Sequence, residues 1–489
     1  MEAAVEHTHW FQIAVLLVVH ALSWFVVVHA LLHKHDPRAA LGWIAAVLFL
    51  PLIGALLYFS IGINRANSRA AKLMAYAAEV AGKHRRRLGD SDAQSATFPQ
   101  LSLHSEDLPT RFFLASVGEK VTGRKLAGGN ALTPLFNGEE AYPAMLDAIR
   151  NASAEVFLSS YIFNDGVAGK AFVAELAKAA QRGIDVRVLV DGIGSLYSLR
   201  APWRNLRRKG IRVARFLPPR ITPWHLSINL RNHRKILVCD ANVGFTGGMN
   251  ISDNHLVELP ASHRVRDVHF ACKGPLVEQL RDAFLLDWGF VTGHYEQHRT
   301  NCQGEMGNCL CRIILEGPGT STDQLHDILC AVITGAKRRV SLMTPYFLPT
   351  HELIGSLRAT ALRGVRVDVL LPATNNLPYM HWATRHLLPQ LIQAGVHVRY
   401  QPGPFAHTKL LLIDDGYAQI GSANIDSRSL RLNFELNVEV FNTAFVRQMR
   451  MFFDEGFQAG KIVSCEELRK ASLPVRLRDA LFWLFSPYL

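Results

Sequence analysis

The chain carries one pattern twice, and that repetition limits its fold more than any other feature. The first copy, HRKILVCDANVGFTGGMN, holds His233, Lys235, Asp240, Gly247, Gly248 and Asn250. The second, HTKLLLIDDGYAQIGSAN, holds His407, Lys409, Asp414, Gly421, Ser422 and Asn424. In both, Lys follows His by two positions, Asp by seven and Asn by seventeen. Residues i and i+2 of an extended segment share a face, so each His and its Lys project into the same space. The apolar runs ILVC and LLLI anchor each segment in a core. The GG and GS pairs permit a tight turn that aims each Asn, and Ser422, back at the same point. Stability alone gives no reason to repeat His, Lys and Asn in register, so the copies read as chemistry.

The duplication extends upstream. AMLDAIRNASAEVFLSSYIF leads through a helical stretch to AAQRGIDVRVLVD, and DILCAVITGAKRRVSLMTPYF leads likewise to ALRGVRVDVLLP. Each copy reads as helix, buried strand, helix, Gly turn, buried strand. That alternation predicts βαβ units, an α/β fold and a mostly parallel sheet. The two halves are expected over 110–300 and 301–465, joined at the Cys/Gly-rich stretch near 301–311.

Ahead of the repeat lie two apolar segments, Trp10–Leu32 and Ala39–Gly62, each long enough for a hydrocarbon core of about 30 Å. They predict a transmembrane hairpin over 1–63. Pro51 is expected to kink the second helix, and His20 and His29 to face the neighbouring helix or the interface. The acidic opening MEAAVEHTH and the second span argue against a cleaved signal. Arg65, Arg69, Lys72, Lys83 and Arg85 to Arg87 follow the hairpin and place what comes after it in the cytoplasm; Lys34 and Arg38 in the turn argue the other way. Residues 64–109 read as a basic juxtamembrane linker, open to anionic headgroups or simply solvated.

The balance of 53 Lys+Arg against 41 Asp+Glu, a net +12, points to anionic partners without separating nucleic acid from lipid. With 19% charged and 49% hydrophobic residues, disorder is excluded. Seven cysteines in 489 residues exclude a disulfide-framed scaffold, and the trio Cys302, Cys309 and Cys311 lacks zinc spacing. No GxxxxGK[ST], GxGxxG or HExxH pattern supports nucleotide or zinc chemistry. Trp224 and Arg220 are candidates for an interfacial lip. The tail 466–489, with Arg476, Arg478, Phe482, Trp483 and Phe485, reads equally as an interfacial amphipathic helix or as a helix docked on the core.

The duplicated motif is similar to the HKD signature of the phospholipase D superfamily, and the chain resembles its bacterial cardiolipin synthases. The resemblance is carried by both motifs, the WIAAVLFLPLIGALLYFSIG segment, INLRNHRK, TPYFLP and GSANIDSRSLRLNFELNVEVFN. It implies a duplicated phospholipase D-like fold with pseudo-twofold symmetry behind the hairpin. It also implies a multi-pass enzyme of the bacterial inner membrane, with its catalytic part cytoplasmic, that joins two phosphatidylglycerols into cardiolipin and glycerol. Anionic phospholipid and membrane are then the partners; no nucleic acid, metal or cofactor is expected. A phospholipase D-type hydrolase, a transferase with another donor or acceptor, and a membrane-tethered nuclease stay open. The nuclease is disfavoured by the two spans and by the lack of a basic-aromatic platform.

Physical chemistry agrees with that resemblance. Two Lys and two Asn can stabilise the charge of a pentacovalent phosphorane without a metal, while one His attacks phosphorus and the other moves the alcohol protons. With an unperturbed pKa near 6.5, one neutral and one protonated His can coexist near neutrality. Family analogy makes His233 the nucleophile and His407 the acid/base, although the symmetric pattern does not choose between them. Each imidazole needs a carboxylate on its other nitrogen. The resemblance assigns Glu435, in NFELNVE, to the second half and Asp267, in RVRDVHF, to the first. Asp267 lies six residues further from His233 than Glu435 does from His407, an offset read as an insertion around NHLVELPASH. Asp240 and Asp414 are expected to support their loops more than to touch substrate.

Overall fold

The first apolar segment forms one helix, Glu2–His33, because it contains no proline or glycine to interrupt it. The second is divided. Pro51 lacks an N–H and its ring pushes the preceding residue out of the helical region, so Leu50 (φ −133°, ψ 69°) separates helix Pro37–Phe49 from helix Pro51–Leu57. Val26, Ala30, Val47, Ala55 and Tyr58 are buried among these helices. His29 Nδ1 lies 2.7 Å from the Tyr58 hydroxyl, whereas the exposed His20 bonds only the Leu16 carbonyl of its own helix. Gln12–His33 is long and apolar enough to cross a membrane; Ala39–Phe49 is a shorter apolar helix.

This computed structural model describes residues 2–34, 37–62, 108–197, 202–218, 221–222, 225–226, 230–259, 263–296, 304–317 and 323–486. The expected linker falls outside these residues except for its last two, which open helix Leu108–Thr122; Arg220, Trp224 and Cys302 fall outside them too. The chain divides into two compact units. One holds the N-terminal helices and the short strand pair Ile221–Thr222 and His225–Leu226, and the other holds the repeat.

Fifteen strands of the second unit form one sheet. The first half supplies β1 (Ala127–Phe136), β2 (Glu155–Ser160), β3 (Asp185–Asp191), β4 (Arg212–Phe216), β5 (Ile236–Cys239), β6 (Val243–Gly247) and β7 (Val268–Lys273). The second supplies β8 (Cys309–Glu316), β9 (Arg339–Met343), β10 (Arg366–Pro372), β11 (His397–Gln401), β12 (Leu410–Ile413), β13 (Tyr417–Gly421) and β14 (Glu435–Phe441), with β15 (Lys461–Ile462) at its edge. Their order across the sheet is β15-β11-β10-β9-β12-β13-β14-β8-β1-β7-β6-β5-β2-β3-β4. Read outward from the β8–β1 junction, seven strands on each side match in order, and β15 is an addition at the edge of the second half. The expected helix, strand, helix, Gly turn, strand series is present in both, with Gly183 (φ 83°) and Gly364 (φ 87°) at equivalent turns.

The sheet is mixed, not mostly parallel. Only β2–β3–β4 and β9–β10–β11, whose members are joined through helices, run parallel. The motif strands pair antiparallel, β5 with β6 and β12 with β13, because a tight turn cannot make the crossover that a parallel pair requires. Asp240 (φ 54°), Ala241 (φ 51°) and Asp414 (φ 48°) adopt the left-handed conformation those turns need.

Both ILVC and LLLI are fully buried, as their uninterrupted apolar character requires. Helices Leu276–Thr292 and Thr443–Ala459, one from each half, cover a single core in which Phe157, Phe284, Phe434 and Phe453 meet. The two halves are therefore one catalytic body, with the motif loops on either side of its centre.

Candidate active site

His233 and Lys235 lie immediately before β5, and His407 and Lys409 immediately before β12. All four line one cavity of about 1180 Å³, together with Asn250, Ser422 and Asn424. Each Lys donates to the carbonyl of its own His at 2.6 Å, which closes the loop around the imidazole. Lys409 Nζ also lies 2.9 Å from both ring nitrogens of His407.

The carboxylates are exchanged between halves. His233 Nδ1 lies 3.1 Å from Glu435 Oε1, and His407 Nδ1 lies 2.9 Å from Asp267 Oδ2. The backbone explains the exchange. His233 N–H donates to Phe434 O at 2.9 Å, and His407 N–H donates to Arg266 O at 2.7 Å. Each motif loop is thus bonded to the segment entering the other half's last sheet strand, where the acid is the next residue. The within-half pairing expected from sequence is corrected accordingly. Because each Nδ1 is held by a carboxylate, the Nδ1–H tautomer is favoured and Nε2 is left as the reactive nitrogen.

The loop after each motif is also unequal. Ser422 Oγ donates to Glu435 Oε2 at 2.5 Å, bracing the acid of His233. In the first half the same place is Gly248, where a Cβ would fall 2.6 Å from Asp267 Oδ2, so only glycine admits that carboxylate. Asn250 Oδ1 accepts from Ile162 N–H at 3.2 Å. Asn424 Nδ2 donates to Ser429 Oγ at 3.2 Å, and its buried Oδ1 has no partner among the described residues.

Asp240 and Asp414 do not line the cavity. Asp240 accepts from the N–H groups of Ser153, Ala154 and Glu155 and from Ser153 Oγ; Asp414 accepts from those of Lys337, Arg338 and Arg339. Each caps the entry of the neighbouring strand, β2 or β9. Their place is structural, as their motif position allowed.

The geometry agrees with the comparisons. The family described as "Cardiolipin synthase, PLD-like domain" matches residues 145–288 and 329–456. The chain belongs to the cardiolipin synthase family of the phospholipase D superfamily. A second family, described as "Phospholipase D-nuclease N-terminal", matches residues 21–62. A cardiolipin synthase of Geobacillus thermodenitrificans is 30% identical over 463 residues, covering 94% of this chain and 90% of that one. The major cardiolipin synthase of Bacillus subtilis is 28% identical over 492 residues, covering 96% and 98%. Phosphatidylserine synthase of Haemophilus influenzae shares the fold, with a TM-score of 0.62 at 16% identity over 77% of this chain and all of that one (100%).

Electrostatics in this member of the cardiolipin synthase family follow from burial. Burial alone would raise Asp267, but the hydrogen bond from His407 and the electrostatic pull of His407, Lys409 and His255 hold it well below the usual carboxylate range. Glu435 is likewise lowered, with His233, Lys235 and Ser422 outweighing burial. Burial, reinforced by Lys409 and opposed by Asp267, pushes His407 down to about 4. Burial also lowers His233 against the pull of Glu435, lowers Lys235, and brings Lys409 down to about 7. Both imidazoles are thereby held toward their neutral forms.

Several wall residues carry no motif signal. The Tyr161 ring lies 4.2 Å from that of His233, and the Tyr346 ring 6.5 Å from that of His407. They occupy matching places in SSYIF and TPYFL, so the repeat itself held the clue. Asn433 Nδ2 lies 3.4 Å from His233 Nδ1 and from Glu435 Oε1. His255, in the extra residues before Asp267, lines the cavity with its ring 6.4 Å from His407. Arg234, fully buried, bonds Asp287 at 2.6 Å and the carbonyls of Glu435 and Glu316 at 3.0 and 2.9 Å, tying the first motif to the second half. Its counterpart in the second motif is Thr408, which gave no hint of that link. Among the described residues no cluster of three His, Cys, Asp or Glu side chains is arranged to hold a metal ion.

Proposed function

We propose that this chain, a phosphatidyltransferase by family, condenses two phosphatidylglycerols into cardiolipin and glycerol through a phosphatidyl-histidine intermediate. The observation that carries the reading is the pair of carboxylate-held imidazoles, each with its Lys, in one cavity. Nε2 of His233 attacks the phosphorus of the first lipid, and the glycerol oxygen leaves with a proton from His407. The headgroup hydroxyl of the second lipid then gives a proton to His407, attacks the same phosphorus and releases His233. One phosphodiester is broken and one is formed, so no external energy source is needed. Lys235, Lys409, Asn250 and Asn424 stabilise the phosphorane oxygens. Glu435 and Asp267 orient and charge-balance the two rings.

The apolar helices support a bilayer setting, with two passes and the catalytic unit on the cytoplasmic side by the cation count around the hairpin. A reporter fused after Leu489 should accordingly read cytoplasmic. The deciding experiment incubates purified protein with phosphatidylglycerol alone and identifies lipid products and free glycerol. Cardiolipin with equimolar glycerol supports the reading. Phosphatidic acid would mean that water is the acceptor, and no turnover until another lipid or alcohol is added would mean a different donor or acceptor.

A further inference from the structure

Helix Leu473–Leu484 presents apolar residues on two sides. The inner side packs on helix Pro378–Ile392: the Phe482 ring lies 6.3 Å from that of Tyr379 and 5.1 Å from that of Trp382, and Trp483 lies 4.8 Å from His386. Asp479, buried there, pairs with Arg385 at 3.1 Å. Docking on the core is thereby accounted for, and it leaves the other side unexplained. Leu473, Leu477, Leu481 and Leu484 are each more than half exposed, and Phe485 continues the row. At about 3.6 residues per turn they fall on one face, bordered by the exposed Arg476 on one flank and on the other by Arg478, whose guanidinium pairs with Asp479 at 2.7 Å and stacks over Trp382. The helix has a single acid, the buried Asp479, so no carboxylate of the helix faces outward. Scattered exposed leucines are ordinary, but a continuous row at helical spacing marks a surface that meets something apolar.

The position of the row connects it to the cavity. Asn375, Asn376 and Leu377, which lead into helix Pro378–Ile392, line the cavity, and Tyr379 lies two residues further along against Phe482. From the first half, the exposed Tyr197 lines the cavity as well.

We propose that the outer face of helix Leu473–Leu484 lies in the headgroup–acyl boundary of an anionic bilayer and holds this end of the cavity against the lipid surface. An apolar stripe edged by arginines and free of outward carboxylates matches such a boundary. A second copy meeting the same face about a twofold axis would set arginines against arginines. The proposal rests on a phospholipid being the substrate, and one arm of its test does not depend on that.

The first arm places the photo-crosslinking residue benzoylphenylalanine at position 477 of the full chain in nanodiscs containing phosphatidylglycerol. The same residue at position 362, an exposed leucine at the end of helix His351–Leu362, and at position 24 within the apolar N-terminal helix serves for comparison. A phospholipid adduct at 477 in yield near that at 24, with none at 362, is expected. A crosslink between two copies at 477, or no lipid adduct there, overturns the proposal whether or not the chain makes cardiolipin. The second arm is the double variant Leu477→Glu, Leu481→Glu. Removing two buried leucine contacts should lower kcat/KM on vesicles about tenfold or more, while turnover of short-chain, monomeric phosphatidylglycerol stays unchanged. An equal loss on both substrates, or no loss on vesicles, sinks the role of this face. Failure of the unmodified chain to make cardiolipin would count against the proposed reaction and leave the crosslinking result standing.

Discussion

Asp267 of the first half holds His407 of the second, its Oδ2 2.9 Å from Nδ1, while Glu435 of the second half holds His233 of the first. Neither half contains both members of either of these two pairs. The two reactive rings exist in their working tautomers only when the halves are joined. The bonds from buried Arg234 to the Glu435 and Glu316 carbonyls and the β1–β8 junction serve that joining as much as stability.

The exchange predicts which step each acid serves. If His233 is the nucleophile, Glu435→Gln should slow formation of the phosphatidyl adduct. Asp267→Asn should slow both steps that His407 serves, protonation of the leaving glycerol and activation of the acceptor, so that adduct builds slowly on the peptide containing His233, as is expected of His407→Ala too. General acid–base assistance is typically worth about 10²–10⁴-fold, so accumulation should be visible by acid-quenched mass spectrometry after long exposure to phosphatidylglycerol. Adduct on the His407 peptide in any of these variants would reverse the assignment.

The motif aspartates should behave differently from the rest of the motif. Asp414→Ala strips the acceptor from three backbone N–H groups at the entry to β9 and places alanine at φ 48°. Losses of this kind cost about 2–4 kcal/mol, read as a fall in unfolding midpoint in detergent. Asp414→Asn, which keeps an acceptor oxygen and tolerates the left-handed conformation, should cost less. Turnover per folded molecule should change little in either. A collapse of turnover in a fully folded Asp414→Asn protein would return this residue to the catalytic group.

The sequence pattern made the motif residues legible because spacing along an extended segment is a local property: His, Lys and the turn glycines needed no tertiary information. Pairing of His with an acid is not local. Asp267 was found as a carboxylate but given to His233, because chain order says nothing about which half's strand entry a loop will bond. Between Asn250 and Asp267 the turn Asp253–His255 brings His255 to the cavity wall. The parallel strands were legible from their intervening helices. The antiparallel motif hairpins were hidden because a run such as ILVC is equally apolar in either orientation. Arg234, between His233 and Lys235, gave no local signal, and only its burial and hydrogen bonds show it spanning the two halves.

Lys235 and Lys409 bring positive charge to the cavity wall, and among the described residues no group of three His, Cys, Asp or Glu side chains is arranged for an ion. Turnover of phosphatidylglycerol should therefore survive EDTA after dialysis against chelator. Complete loss that is restored by adding back a divalent cation would show that a metal shares in holding the phosphoryl group.

The last prediction concerns protons taken up on binding. In the empty cavity burial holds His407 down at about 4 and Lys409 at about 7. An anionic phosphodiester placed between them stabilises both protonated forms, so both values rise on binding. Groups whose pKa is raised by a ligand draw protons from solution, and the ligand then binds more tightly as pH falls. At pH 7 Lys409 is about half protonated before binding, and His407 is almost wholly neutral. Glycerophosphoglycerol, whose own phosphate stays a monoanion, is the suitable probe. Calorimetry in buffers of different ionisation enthalpy should show net proton uptake at pH 7, and affinity should strengthen from pH 8 to pH 6 by up to about tenfold per unit for each proton taken up. Lys409→Arg, whose guanidinium stays charged throughout, should remove the share belonging to Lys409 and leave that of His407. Proton release, or an affinity flat across this range, would mean that the two groups are already charged in the empty site and that burial does not poise them as described.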